Sequence, residues 1–174
     1  MKTEIKYGLL CGTIITAYSA ITLFMAGDIS TLSPAQFKSF ESTGYLRYMI
    51  LIFMIYLAIR ETVKKIKAGA SFSSLLKTGI IVALIASLMV GATQAVFILG
   101  IPGFFQAYTL QYIEQLRLAG QTEAEIKLAL ETMSSQSIMQ SSWGNGLFYF
   151  LLTAFIGCIA SLSFAMIMRS RPAF

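Results

Sequence analysis

The chain has 174 residues, of which 56% are apolar and 12% charged, against ~45–50% and ~25% in an average soluble domain. That composition excludes an ordinary water-soluble globule and leaves a helical membrane protein. The formal net charge is +5, but the basic residues flank apolar runs instead of gathering on one solvated face, which speaks for membrane topology and against nucleic-acid binding.

The first apolar run, residues 7–26, has no charge between Lys6 and Asp28 and meets the ~20 residues that a hydrocarbon core requires. It continues through Ile21 to Met25, past the small residues Ala17, Ser19 and Ala20 where a signal peptide would be cut, and so reads as a retained span. In the next loop Ser33-Pro34 marks a helix start, with Phe37 and Phe40 on one face. A second span, residues 43–63, carries Arg47 one turn inside its outer end, where a long side chain can snorkel to the headgroups. Its helix is expected to continue past Arg60 to Lys67 and to end at Gly69, before Ser71 caps the third span. That span, residues 75–99, stops at Gly100-Ile101-Pro102-Gly103, and a fourth, residues 147–168, runs up to Arg169 and Arg171. Cys11 and Cys158 differ in depth by ~9 Å at ~1.5 Å per residue, which argues against a disulfide.

Residues 103–140, between the third and fourth spans, read as a helical hairpin. Phe105, Tyr108, Tyr112, Leu116 and Ala119 recur at three and four, and Gly120 supplies a C-cap. Thr122 with Glu125 then forms a capping-box pattern, and Ile126, Leu130 and Met133 line one side of the second helix. Tyr108, Tyr112, Leu116, Ile126, Leu130 and Met133 are therefore the candidate partner-binding face.

With the N-terminus inside, the inner segments hold nine basic residues: Lys2, Lys6, Arg60, Lys64, Lys65, Lys67, Lys77, Arg169 and Arg171. The outer loops hold only Lys38, Arg117 and Lys127, so both ends are expected in the cytoplasm. Arg60, Lys64, Lys65, Lys67 and Lys77 are candidates for anionic lipid headgroups. The expected fold class is all-α and polytopic, with four transmembrane helices and an extracytoplasmic hairpin.

Small residues recur every fourth position in three spans. They are Gly8, Gly12, Thr16 and Ala20 in the first; Gly79, Ala83, Ser87, Gly91 and Ala95 in the third; Thr153, Gly157, Ser161 and Ala165 in the fourth. Such stripes let backbones approach closely in lipid, where no hydrophobic drive joins the helices. The second span has no stripe and a bulky centre, so spans one, three and four are expected to form the tight core, with the second packed more loosely. Thr13, Thr16, Tyr18, Ser19, Thr93 and Gln94 act either as glue between helices or as the lining of a polar cavity.

The chain has no histidine, no acidic residue inside an apolar run, and no metal-ligand spacing. No nucleophile has a plausible base, and Glu114, Glu123, Glu125 and Glu131 are spaced as a solvated face. No catalytic residue, cofactor or metal is expected, and an enzyme is disfavoured.

Two stretches resemble a bacterial membrane family, domain of unknown function 4199. One is Ser71-Phe72 with Lys77 and Gly79 at the entry to the third span; the other is Tyr112 to Arg117, then Gly120 and Glu125-Ile126. The chain departs from the family at Ser73 and Ser74, where the family often shows Gly and an acidic residue. The resemblance implies a Gram-negative inner membrane and a periplasmic hairpin. It also suggests an accessory role beside membrane glycosyltransferases in envelope glycan or lipid assembly. The expected function is thus a non-catalytic inner-membrane accessory or interaction protein, in contact with membrane lipids and with another membrane protein or a second copy of itself. The alternative is a small oligomeric transporter, flippase or channel subunit.

Overall fold

The computed structural model describes residues 2–27, 31–66, 70–101, 103–135 and 141–169. Among these residues the regular structure is entirely helical: α1 (Thr3–Ala26), α2 (Pro34–Thr43), α3 (Leu46–Lys65), α4 (Phe72–Gly100), α5 (Phe104–Leu118), α6 (Glu123–Ser135) and α7 (Ser142–Arg169). The helix ends follow backbone capping and not hydropathy, so α1, α4 and α7 begin before their apolar runs. Ser71 accepts a hydrogen bond from the Ser74 amide at 3.3 Å to open α4, and Ser141 accepts one from Gly144 at 3.0 Å to open α7. Helix α3 ends at Lys65, with Ile66 already out of helical conformation, short of the expected continuation to Lys67; residues 67–69 lie outside the described residues, as does the Phe40 side chain.

Three helices, α1, α4 and α7, are long and apolar enough to cross a membrane. Helix α3, which corresponds to the expected second span, is not among them. It has 20 residues, but Arg47 and Arg60 bound an uncharged stretch only from Tyr48 to Ile59, ~18 Å at ~1.5 Å per residue.

Helix α4 is the axis of the bundle, packed most extensively on α7 and next on α1. The register is legible in the glycines. A Cβ on Gly8 would lie 2.8 Å from the Cβ of Ile85, one on Gly12 would strike the Met89 thioether, and Thr16 meets Thr93 hydroxyl to hydroxyl at 3.0 Å. Each step of four along α1 is matched by a step of four in the same direction along α4, so the two helices run parallel. Against α7 the order reverses: Gly79 faces Ser161, Gly157 faces Ala83, and Gly91 faces Gly146 and Phe150. Ser87 is fully buried on the same α4 face, and Ser161 turns its hydroxyl back to the Gly157 carbonyl at 2.6 Å. The small-residue stripes are thus occupied within the chain, with α4 serving both neighbours.

The expectation that α3 packs loosely fails. Leu51, Ile55, Ala58 and Ile59 are fully buried, and α3 touches α1, α4 and α7 alike. Its large side chains fill the space between helices whose own small residues supply none. At the C-terminal end of α3, Lys65 donates to Glu61 at 2.6 Å and to Thr3 at 2.8 Å, which pins α3 antiparallel to α1. The four long helices therefore alternate in direction along the chain.

At the other end, α2 leans on α5. Phe37 is fully buried with its ring centroid 5.2 Å from that of Tyr108, and Gln111 donates to the Leu32 carbonyl at 2.9 Å. Helix α5 closes with Gly120 at φ +78°, the Gln121 amide bonding the Leu116 carbonyl at 3.1 Å and the Gly120 amide that of Arg117 at 3.0 Å. Next, Glu125 accepts from the Thr122 amide at 2.8 Å and the Thr122 hydroxyl at 2.9 Å, while Thr122 accepts from the Glu125 amide at 3.4 Å.

These Thr122 bonds hold the Glu125 carboxyl below its ordinary range. A depressed carboxyl stabilises the fold above its unfolded value, and that contribution disappears as pH falls through the folded one. Hydrogen exchange of the first-turn amides of α6, corrected for the intrinsic rate, is expected to accelerate on acidification below pH ~4. In Glu125→Ala, which removes the titrating carboxyl, the same amides should exchange faster at neutral pH with little further response to acid. Equal protection in both proteins would refute the cap.

Candidate functional site

Where the ends of α1, α3, α4 and α7 approach α2 and α5, the bundle opens into a cavity of about 540 Å³, within the ~300–1,000 Å³ usual for small-molecule sites. Counting residues from the helix ends at ~1.5 Å each, it reaches ~10–15 Å into the bundle. Tyr18, Ser19, Thr22 and Leu23 of α1, Gln94, Phe97 and Ile98 of α4, and Phe148, Tyr149 and Leu152 of α7 contribute to its walls. Phe104, Phe105, Tyr108 and Thr109 of α5, with Met133 of α6, contribute from outside the four-helix bundle.

Arg47 enters from the first turn of α3. Instead of snorkelling outward, it is turned into the bundle: its guanidinium carbon lies 4.3 Å from the ring centroid of Tyr149 and 5.1 Å from that of Tyr48. The Arg47 Nε is buried and has no hydrogen-bond partner. Among the described residues Arg47 is the one charged side chain lining the cavity. No carboxylate balances it there. The inward turn follows from helix phase, since Arg47 continues the face that Leu51, Ile55 and Ile59 bury at intervals of four.

The polar residues picked out in the sequence divide between two roles. Thr16 and Thr93 join α1 to α4, whereas Tyr18, Ser19 and Gln94 line the cavity. Thr13 is exposed. Of the candidate partner-binding face, Tyr108 and Met133 line the cavity and Ile126 is only 3% exposed. Tyr112, Leu116 and Leu130 are half-buried. The apolar side of α5 and α6 is therefore largely turned inward, and Leu110, Leu118 and Leu128 are the large residues left exposed on these helices.

The lipid candidates lie at the opposite end. Arg60, Lys64 and Lys77 are exposed, Lys65 is engaged by Glu61 and Thr3, and Lys67 lies outside the described residues. Glu61, beyond the uncharged part of α3, accepts the hydrogen bond from Lys65 at 2.6 Å.

The motif at the start of α4 has a local physical basis. Ser71 caps the helix, Phe72 packs on the core, Lys77 stays exposed at the polar end, and Gly79 admits Ser161, whose Oγ would lie 2.5 Å from an added Cβ. Tyr48 and Tyr149 are not among the candidates that the sequence offers, and Phe105 is there only as part of the apolar face of α5. Tyr149 did carry a signal, because it extends the α7 stripe of Thr153, Gly157 and Ser161 by one further step of four.

The sequence model of one family, described as protein of unknown function (DUF4199), matches residues 6–170. No curated protein and no solved structure matches the chain.

Proposed function

The chain belongs to this family of unknown function, and from that premise we propose a non-catalytic membrane protein that binds a small ligand in the cavity beneath α5. The observation that carries the reading is Arg47, a cation placed among aromatic rings in a space large enough for a ligand and without a hydrogen bond at Nε. A cavity that served only as a packing defect would be lined by apolar groups. Among the described residues no carboxylate, lysine or thiol lines the cavity, and neither tyrosine nor arginine normally exchanges a proton near neutral pH. Binding fits this lining better than catalysis.

In this reading α3 is the fourth span, in a bacterial inner membrane. Its length of ~30 Å matches the hydrocarbon core, and its charges sit in the first turn and the last two turns. The alternating helix directions and the basic residues at one end support an orientation with both termini in the cytoplasm and the α5–α6 hairpin in the periplasm. Handling of a ligand in the outer half of the bilayer supports an accessory role in envelope glycan or lipid assembly, beside a partner such as a membrane glycosyltransferase.

Two measurements test this. In a background free of Cys11 and Cys158, an impermeant maleimide should label Gln121→Cys in intact cells and Lys64→Cys only after permeabilisation; the reverse pattern overturns the topology. Purification of the tagged chain from its host in mild detergent, with mass spectrometry of proteins and small molecules, should yield a co-purifying ligand and a membrane partner. A preparation carrying neither ligand nor partner overturns the reading, and a homo-oligomer carrying solute redirects it to transport.

A further inference from the structure

Resting on the reading of the cavity as a ligand site, we propose that its ligand is an amphiphile with an anionic headgroup, phosphate or carboxylate, bound by Arg47.

A cation taken out of water is costly, and such residues in a membrane bundle ordinarily face a partner or water. Arg47 is the second residue of α3 and lies one turn from water by sequence, yet its side chain turns to Tyr149, which is seven residues inside α7. Two aromatic faces and a hydrogen bond with Tyr48 compensate part of the charge. Nε itself is covered, so the terminal nitrogens of this planar guanidinium are the donors for phosphate or carboxylate oxygens, which engage such a group often in bidentate form. The Gln94 amide and Ser19 hydroxyl line the same cavity and can donate to the remaining oxygens.

The rest of the lining chooses between a free anion and an anion carried on a lipid. Phe97, Ile98, Phe104, Phe105, Phe148 and Leu152 offer a wall that a hydrated phosphate gains nothing by touching. An alkyl chain that already lies in the bilayer meets this wall at no cost and can pack closely against it. One arginine without a lysine beside it is weak provision for a small, strongly hydrated ion. For an amphiphile it need only select the headgroup, because the membrane already holds the chain at high local concentration beside the cavity.

The test uses the full chain in detergent, first delipidated, then equilibrated with dioleoyl phosphatidylglycerol or dioleoyl phosphatidylcholine and read by native mass spectrometry. Wild type should retain one phosphatidylglycerol per chain at about tenfold or more over phosphatidylcholine, the discrimination expected of a charged hydrogen bond worth ~1.5–3 kcal/mol. Arg47→Met should bring phosphatidylglycerol down to the phosphatidylcholine level. Leu152→Trp, which fills the cavity and leaves the arginine, should remove both, and Arg169→Gln at the opposite end should behave as wild type.

Should Arg47→Met fail to fold, Arg47→Lys replaces it; a several-fold loss of headgroup preference then supports the assignment and full retention overturns it. Preference that survives Arg47→Met and falls with Arg169→Gln overturns the proposal in favour of the basic end. Phosphatidylglycerol displaced by millimolar inorganic phosphate assigns the site to a free anion and overturns the amphiphile. Equal retention of both lipids, lost in Leu152→Trp and unchanged in Arg47→Met, overturns the anionic headgroup but leaves the ligand cavity standing. No retention of any lipid, from these or from a host extract, overturns the proposal and the reading beneath it.

Discussion

Gly91→Ala is expected to destabilise the protein by about 1–3 kcal/mol, the range found when methyl groups are forced into a filled core. The added Cβ would lie 2.7 Å from the carbonyl oxygen of Gly146 and 2.9 Å from the Cβ of Phe150. The carbonyl oxygen belongs to the backbone of the helix that α4 contacts most, so it yields only if α4 and α7 separate. Gly12→Ala should cost less, because its Cβ meets the flexible thioether of Met89. Gly100→Ala, with nothing within 4 Å, should be neutral or slightly stabilising through helix propensity. Denaturant unfolding of the three variants in one detergent checks the order. Equal losses at Gly91 and Gly100 would mean that the α4–α7 apposition does not carry the stability assigned to it.

Arg47→Met is expected to act in the opposite direction on the unliganded protein, raising its stability by up to about 1 kcal/mol. Arg47 is the second residue of α3, so its burial costs less than the ~2.5–3.5 kcal/mol of a cation at the centre of a spanning helix, and ~0.5–2 kcal/mol is returned by its contacts with aromatic rings. Methionine fills a similar irregular volume without charge. The measurement is unfolding of delipidated wild type and variant, repeated with saturating phosphatidylglycerol. Wild type should gain stability with the lipid while the variant gains little, since a ligand stabilises only the state that binds it. A large loss of stability in the delipidated variant would instead make Arg47 a clamp between α3 and α7.

Much of the fold is visible without coordinates because its signals are local or periodic. The apolar runs of α1, α4 and α7 span a bilayer by length alone. Ser33, Ser71 and Thr122 announce helix starts because their hydroxyls reach amides three residues on, and the structure has all three bonds. Gly120 marks the turn because the left-handed conformation there at φ +78° suits a residue with no Cβ. The small residues at intervals of four show which helix faces meet another helix, since nothing but close backbone contact explains such a stripe in lipid.

The site was hidden for the converse reason. Helix α3 is bulky around its whole circumference between Arg47 and Arg60, and in a membrane both the buried and the lipid-facing sides favour apolar residues. Hydropathy therefore does not reveal its rotation, and an arginine near its end reads equally well as pointing to water or to the core. The rotation is decided by the space that the close-packed α1, α4 and α7 leave for Leu51, Ile55 and Ile59, which carries Arg47 inward with them.

The sequence by itself determined the membrane class, the limits of three spans, the caps and the packing stripes, because each depends on residues within a few turns of one another. Only the tertiary structure decided that α4 serves both stripes, that the apolar side of α5 and α6 turns largely inward, and that Tyr18, Arg47, Gln94, Phe105 and Tyr149 surround one cavity. These residues lie on five helices, and their meeting follows from how each helix rotates about its axis when the bundle fills its interior.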